Sequence, residues 1–217
     1  MTTALMSFFE GETDTSIDFS SDDHSIDFCD DRNHYKEIRK ILFPLKQQVL
    51  NKIEKNKSAD KKDLNIFKAV VPEILIWGTF ERTFSTGLGL KLQEIAAVCG
   101  TNVVNIDKKE GKKIGVDLRA AIGLGQLKAG TTTQTGTHKG DSLNKLLETS
   151  KKENAEPFFA TALGESYEYL DDNGVLYIGG KSFWKKIGVD YDTVYNTIVE
   201  VIVETYEEVK LVNIPTV

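Results

Sequence analysis

The residues best suited to chemistry lie in segment 113–139, KIGVDLRAAIGLGQLKAGTTTQTGTHK. Its core is Asp117, eight residues, then Gln126-Leu127-Lys128. Alternate residues of a strand project to one face, so Gln126 and Lys128 share a face while Leu127 turns into the core. If the stretch before Gln126 doubles back as a hairpin, Asp117 lies beside them. A carboxylate, an amide oxygen and an ammonium are then gathered at one point. That set can hold a divalent cation and an attacking water, which phosphodiester hydrolysis requires. Asp117 is the main ligand in that reading, because Mg²⁺ takes hard oxygen donors. Gln126 offers only a neutral carbonyl oxygen. Lys128 holds or helps deprotonate the water and offsets charge on the phosphorane. A surface hairpin with a solvated Asp–Lys pair has the same pattern, so its setting must decide.

The elements around it supply that setting. A helix is expected over 33–57: Asn33 caps it, and Ile38, Ile41, Leu42, Leu45, Val49 and Ile53 recur at helical spacing. Pro44 inside that pattern is expected to kink or split it. Residues 64–75, with Pro72, read as one or two short helices. Residues 87–99 read as a helix with Leu88, Leu92, Ile95 and Ala96 on one face and Gly100 as its stop. Strands follow at 102–106, 114–119 and 126–129, with Gly123 and Gly125 bracketing the last turn. Asp141 is read as the cap of a helix carrying Leu143, Leu146 and Leu147. Two further strands (158–163 and 175–178), a short helix from Phe183-Trp184 and a long helix over 192–209 complete the chain. The order helix, three strands, helix, strand predicts an α/β fold, with a central mixed sheet flanked by helices on both faces.

The 217 residues suit one domain with a tail. Nine acidic residues and no Lys or Arg fall in 1–31, leaving 24 acidic against 27 basic residues in 32–217, a net charge of +3. The overall charge of −6 thus belongs to the tail, and the body is mildly basic, which permits a nucleic-acid partner. The tail repeats itself: Ser16-Ile17-Asp18-Phe19 is echoed by Ser25-Ile26-Asp27-Phe28. Alternating acidic and apolar residues bury little surface, so the tail reads as a solvated arm or edge strand, or as a cover for a basic cleft. No apolar run nears the ~20 residues of a membrane helix, and no signal peptide is evident. Two cysteines and three scattered histidines exclude a zinc module and favour a reduced, cytoplasmic setting.

Downstream of Lys128, the run 131–139 holds five threonines (Thr132, Thr133 and Thr135 among them), Gln134, His138 and Lys139. Hydroxyls, an amide and flanking glycines suit contacts to phosphates and base edges, or a flexible surface loop. Arg82, Ser85 and Thr86 are read as touching backbone phosphates near a helix N-terminus. Lys181, Lys185 and Lys186 either line the same cleft or are solvated. Gly174 to Ser182 imitates a phosphate-binding loop but has five residues, not four, before Gly180-Lys181. Gly123-Leu124-Gly125 lacks the strand–turn–helix setting of a dinucleotide fingerprint, so no nucleotide cofactor is expected.

Three stretches together resemble a known family. They are Arg82-Thr83-Phe84-Ser85-Thr86-Gly87-Leu88-Gly89 leading to Glu94, Gln126-Leu127-Lys128-Ala129-Gly130, and Gly180-Lys181-Ser182-Phe183-Trp184. Over about half the chain, 81–188, it resembles type II restriction endonucleases of the PD-(D/E)XK superfamily. The resemblance implies a restriction-endonuclease-like core (αβββαβ) over 32–217, with N-terminal helices and a long C-terminal helix. It implies Asp117 as the metal-binding aspartate, Lys128 as the catalytic lysine, and Glu94 as a further carboxylate of the metal site. Gln126 stands where the family usually has Glu or Asp, and Val116 replaces the proline before the aspartate, so Glu94 gains importance here. It further implies Mg²⁺, site-specific cleavage of double-stranded DNA to 5′-phosphate ends, and a homodimer matching a palindromic target. Two alternatives stay open: a structure-specific repair or recombination nuclease with the same core, and a DNA- or protein-binding module that kept the fold.

Overall fold

The computed structural model describes residues 31–58, 72–106, 115–130 and 136–213. The acidic tail with its repeat, Asp107 (a rival carboxylate to Asp117 at the end of the first expected strand), the 64–71 part of the expected short helices and the threonine run 131–135 lie outside the described residues.

Helix α1 (Asp31–Ser58) buries the six apolar residues read from its periodicity, each at most 8% exposed. Pro44 does not split it. The proline takes the amide from the Lys40 carbonyl, but it sits on the exposed side, where water can serve that carbonyl instead. Helix α2 (Pro72–Cys99) starts fifteen residues before the expected Gly87. Pro72 occupies its first position, where a missing N–H costs nothing. Gly87 is not a helix start: a Cβ there would run into Leu45 Cδ1 of α1, so glycine permits the close crossing of the two helices.

Six strands form one mixed sheet in the order β1-β2-β3-β4-β6-β5. They are β1 (Val104–Asn105), β2 (Leu118–Ala120), β3 (Gly123–Lys128), β4 (Pro157–Thr161), β5 (Tyr167–Leu170) and β6 (Leu176–Gly179). The first three are antiparallel neighbours, β3, β4 and β6 run parallel, and β5 pairs antiparallel with β6. Helix α3 (Gly136–Glu153) makes the crossover from β3 to β4. It begins five residues before Asp141, which is therefore inside the helix and not its cap. Gly123 and Gly125 are both strand residues, and Ala121-Ile122 form the turn. Gly123 has φ +121, and a Cβ there would strike the Glu156 carbonyl; at Gly125 it would strike the Phe158 ring.

The sheet separates two cores. Leu118, Leu127, Phe158 and Ala160 join Leu42, Leu92 and Ile95 in the larger one, beneath α1 and α2. Leu124, Phe159 and Val175 meet Leu146 of α3 in the smaller one. Each fully buried aliphatic side chain stabilises by roughly 1.5–3 kcal/mol, so the strand alternation fixes the register firmly.

After the short α4 (Gly180–Lys186), helix α5 (Tyr191–Asn213) buries Val194, Ile198, Val201 and Val209 and packs on α1. Arg39 clasps both carboxylate oxygens of Glu204 at 2.8 and 2.9 Å, and Lys46 reaches Glu208 at 2.6 Å. The apolar stripe of this helix is thus packed within the chain, against α1. No described helix is long and apolar enough to cross a membrane.

Candidate active site

The β2–β3 hairpin brings the predicted residues together. Leu118 pairs with Gly125, and one residue earlier the Asp117 N–H donates to the Gly125 carbonyl at 2.9 Å. The Asp117 carbonyl accepts from the Ile106 N–H, also at 2.9 Å, so its backbone is held from both sides. Asp117 precedes the strand, where it was expected late within it. That offset has a consequence for its side chain. The next amide along this edge of β3, Leu127 N–H, is taken by Asp117 Oδ2 at 3.0 Å. Lys128 Nζ lies 3.4 Å from the same oxygen. The carboxylate is 12% exposed and the ammonium 27%, so the pair is partly buried, neither sealed from water nor fully hydrated.

Gln126 is 3% exposed, next to the segment that carries Asp117. Its Nε2 donates to the Gly115 carbonyl at 2.7 Å and to the Ser142 carbonyl of α3 at 3.4 Å. Those two acceptors fix the amide orientation. Its Oε1 is buried with no hydrogen-bond partner among the described residues. A buried oxygen left unsatisfied costs about 1–3 kcal/mol, so it marks a place where a donor or a cation belongs. Asp117 and Gln126 Oε1 are both hard oxygen donors, and the pair fits Mg²⁺ by type. Among the described residues no three His, Cys, Asp or Glu side chains group into a metal set.

Glu94 lies on α2, the helix packed on the face to which Leu127 points, and its carboxylate pairs with Lys91 at 2.9 Å one turn earlier. Arg82, Ser85 and Thr86 are exposed residues in the interior of α2, not at a helix N-terminus. The Ser85 hydroxyl donates to the Arg82 carbonyl at 3.4 Å. Their amides are consumed within the helix, so any phosphate contact would come from side chains alone. His138 and Lys139 fall in the first turns of α3, which replaces the loop expected there, and their side chains lie outside the described residues. Of the three lysines considered for a cleft, Lys181 pairs with Asp192 at 2.9 Å and Lys186 with Glu168 at 2.9 Å. Burial pushes the Cys99 thiol up to about 11, which makes it a poor nucleophile.

Sequence reasoning missed β5 and, with it, a row of residues crossing the sheet from Lys128. The register runs Lys128, Thr161, Gly179, Tyr167. A hairpin signal was present: Asp171-Asp172-Asn173-Gly174 between two β-prone runs. Asp171 Oδ1 accepts from the Asn173 and Val175 amides at 3.0 and 2.8 Å and closes that turn. No protein-family model matches the chain, and no curated protein is significantly similar to it.

Proposed function

We propose that this chain is a Mg²⁺-dependent endonuclease for double-stranded DNA, built on the PD-(D/E)XK plan of type II restriction enzymes. One observation carries the reading: Asp117 and Lys128 converge to 3.4 Å at the edge of the β2–β3 hairpin, whose second strand also carries Gln126, with an Oε1 that has no hydrogen-bond partner among the described residues. The α/β class, with a mixed six-stranded sheet and helices on both faces, supports the reading.

Asp117 and Gln126 Oε1 would hold Mg²⁺; Glu94, which the resemblance would add as a further carboxylate, lies on the helix that covers the opposite face of the sheet from Gln126. When bound, the ion supplies Lewis acidity to a phosphate oxygen and to a water. The Leu127 amide keeps the Asp117 carboxylate from rotating away. Lys128 Nζ orients the water against the scissile phosphorus and offsets the added negative charge. The water oxygen bonds to phosphorus as the P–O3′ bond breaks in line. The water's proton leaves to solvent through the Lys128–Asp117 pair, and O3′ departs with the bonding electrons and takes a proton from solvent to become the 3′-hydroxyl, leaving a 5′-phosphate. A palindromic target implies a homodimer. The residues of 131–139, with Arg82, Ser85 and Thr86, would contact the duplex.

A second reading, a DNA-binding module that does not cut, is favoured by the neutral Gln126 in a carboxylate's place. Incubation with Mg²⁺ and long natural duplex DNA separates them. Discrete fragments with 5′-phosphate ends support the nuclease, cutting only at branched or damaged sites supports a repair enzyme, and bound but intact DNA supports the module.

A further inference from the structure

Beside Lys128 the sheet presents a pair of hydroxyls that no part of the reaction above uses. Thr161 is the cross-strand neighbour of Lys128 on β4, and strand alternation places it on the same face. The next position in that row, on β6, is Gly179. A Cβ at Gly179 would collide with the Tyr167 ring and with Thr161 Oγ1. The missing side chain lets Tyr167, from the edge strand β5, lie across β6. Its hydroxyl reaches Thr161 Oγ1 at 3.0 Å. A tyrosine three strands away is thereby carried to the strand adjoining Lys128.

Two hydroxyls have two O–H donors, and their mutual bond consumes one. The second O–H has no acceptor among the described residues. Thr161 is 5% exposed and is held on both sides by the parallel ladder, so the pair is rigid. A fixed donor beside an ammonium matches a phosphodiester, whose nonbridging oxygens accept hydrogen bonds and carry negative charge.

We propose that the Thr161–Tyr167 hydroxyl pair is a binding subsite for a DNA backbone phosphate next to the one attacked at Lys128. The inference rests on the nuclease reading for its substrate class, but it concerns binding and does not need cleavage. Its role is to hold the strand in register, so that the scissile phosphorus meets the water held by Lys128.

The test is binding of a fluorescently labelled mixed-sequence duplex to the full chain, with Ca²⁺ in place of Mg²⁺ and a salt titration. Tyr167→Phe and Thr161→Val should each weaken binding about tenfold, the loss of one hydrogen bond to a charged acceptor. Thr161→Ser, which keeps the hydroxyl, should bind within about twofold of the parent. The slope of affinity against salt should be unchanged in Tyr167→Phe, since a neutral hydroxyl displaces no counterion, and should fall by about one in Lys128→Ala. A purely structural pair would lower thermal stability in Tyr167→Phe and leave affinity untouched; that result overturns the subsite. If the parent binds DNA and never cuts it, the nuclease reading fails while these affinity differences still decide the subsite. A parent that binds no duplex overturns both.

Discussion

Gln126→Glu is the most informative single change, because it supplies the carboxylate that the site lacks. In the parent, Nε2 donates to the Gly115 carbonyl at 2.7 Å and to the Ser142 carbonyl at 3.4 Å, in a site 3% exposed. An ionised carboxylate loses both bonds and turns its oxygens toward two carbonyls. The bonds account for roughly 1–2 kcal/mol, and burial of an ionised carboxylate in so enclosed a site adds a similar amount. The variant should therefore be less stable by roughly 2–4 kcal/mol at pH 8 without metal. At pH 5 a protonated carboxyl can donate to the Gly115 carbonyl, and the cost should shrink to about 1 kcal/mol. The sign follows from a folded pKa raised above the unfolded one: stability is present at low pH and is lost as pH rises through the folded value. A cation at this point reverses the penalty. At a hundredfold excess over its dissociation constant it restores about 2.7 kcal/mol, so Mg²⁺ should stabilise the variant more than the parent. Urea denaturation at pH 5 and pH 8, with and without Mg²⁺, measures all of this. Equal midpoints at both pH values, indifferent to Mg²⁺, would refute the metal site at Gln126.

Other expectations follow from the packing and the ion pairs. Gly125→Ala should cost about 1–3 kcal/mol, since its Cβ meets the Phe158 ring at the centre of the sheet, and thermal melting should show a fall of several degrees. Pro44→Ala should raise stability by roughly 1–3 kcal/mol by giving the Lys40 carbonyl its helical donor; an unchanged melting temperature would contradict the account of α1. The Arg39 guanidinium holds the Glu204 carboxyl below the usual carboxylate range. Glu204→Gln should therefore cost about 0.2–1 kcal/mol at neutral pH, and the difference should vanish as acid protonates Glu204 in the parent through its lowered folded pKa.

Much of this was legible in the residues, and the failures have physical causes. The period of α1 was plain and already sets Pro44 off the apolar stripe; it carries no signal that the backbone bond lost there is tolerated without ending the helix. Ser85-Thr86-Gly87 reads as a boundary because all three are weak helix formers; tertiary contact with Leu45 overrides that preference. Trp77, Phe80 and Phe84 already continue the apolar face upstream, and Trp77 and Phe80 pack on Tyr206 of α5. The pairing of Gln126 with Lys128 came from strand alternation alone and needed no tertiary knowledge. Asp117 was expected beside Gln126 and Lys128, but its grip on the Leu127 amide depends on where β2 opens away from β3. Periodicity carries no signal for that. The helical start of α3 at Gly136 was hidden by glycines and threonines, which favour turns in isolation. Tyr167 was missed with its strand, although Asn173-Gly174 announced the hairpin.

The central claim is that Asp117 and Lys128 form one hydrolytic centre. The measurement closest to it is Mg²⁺-dependent cleavage of long duplex DNA by parent and Lys128→Ala, with duplex binding and melting temperature recorded on the same preparations. The account predicts discrete fragments from the parent, a loss of at least about a thousandfold in the variant, and binding and folding retained. Parent-like cleavage by a folded Lys128→Ala, or no Mg²⁺-dependent cutting of any duplex by the parent, would contradict it.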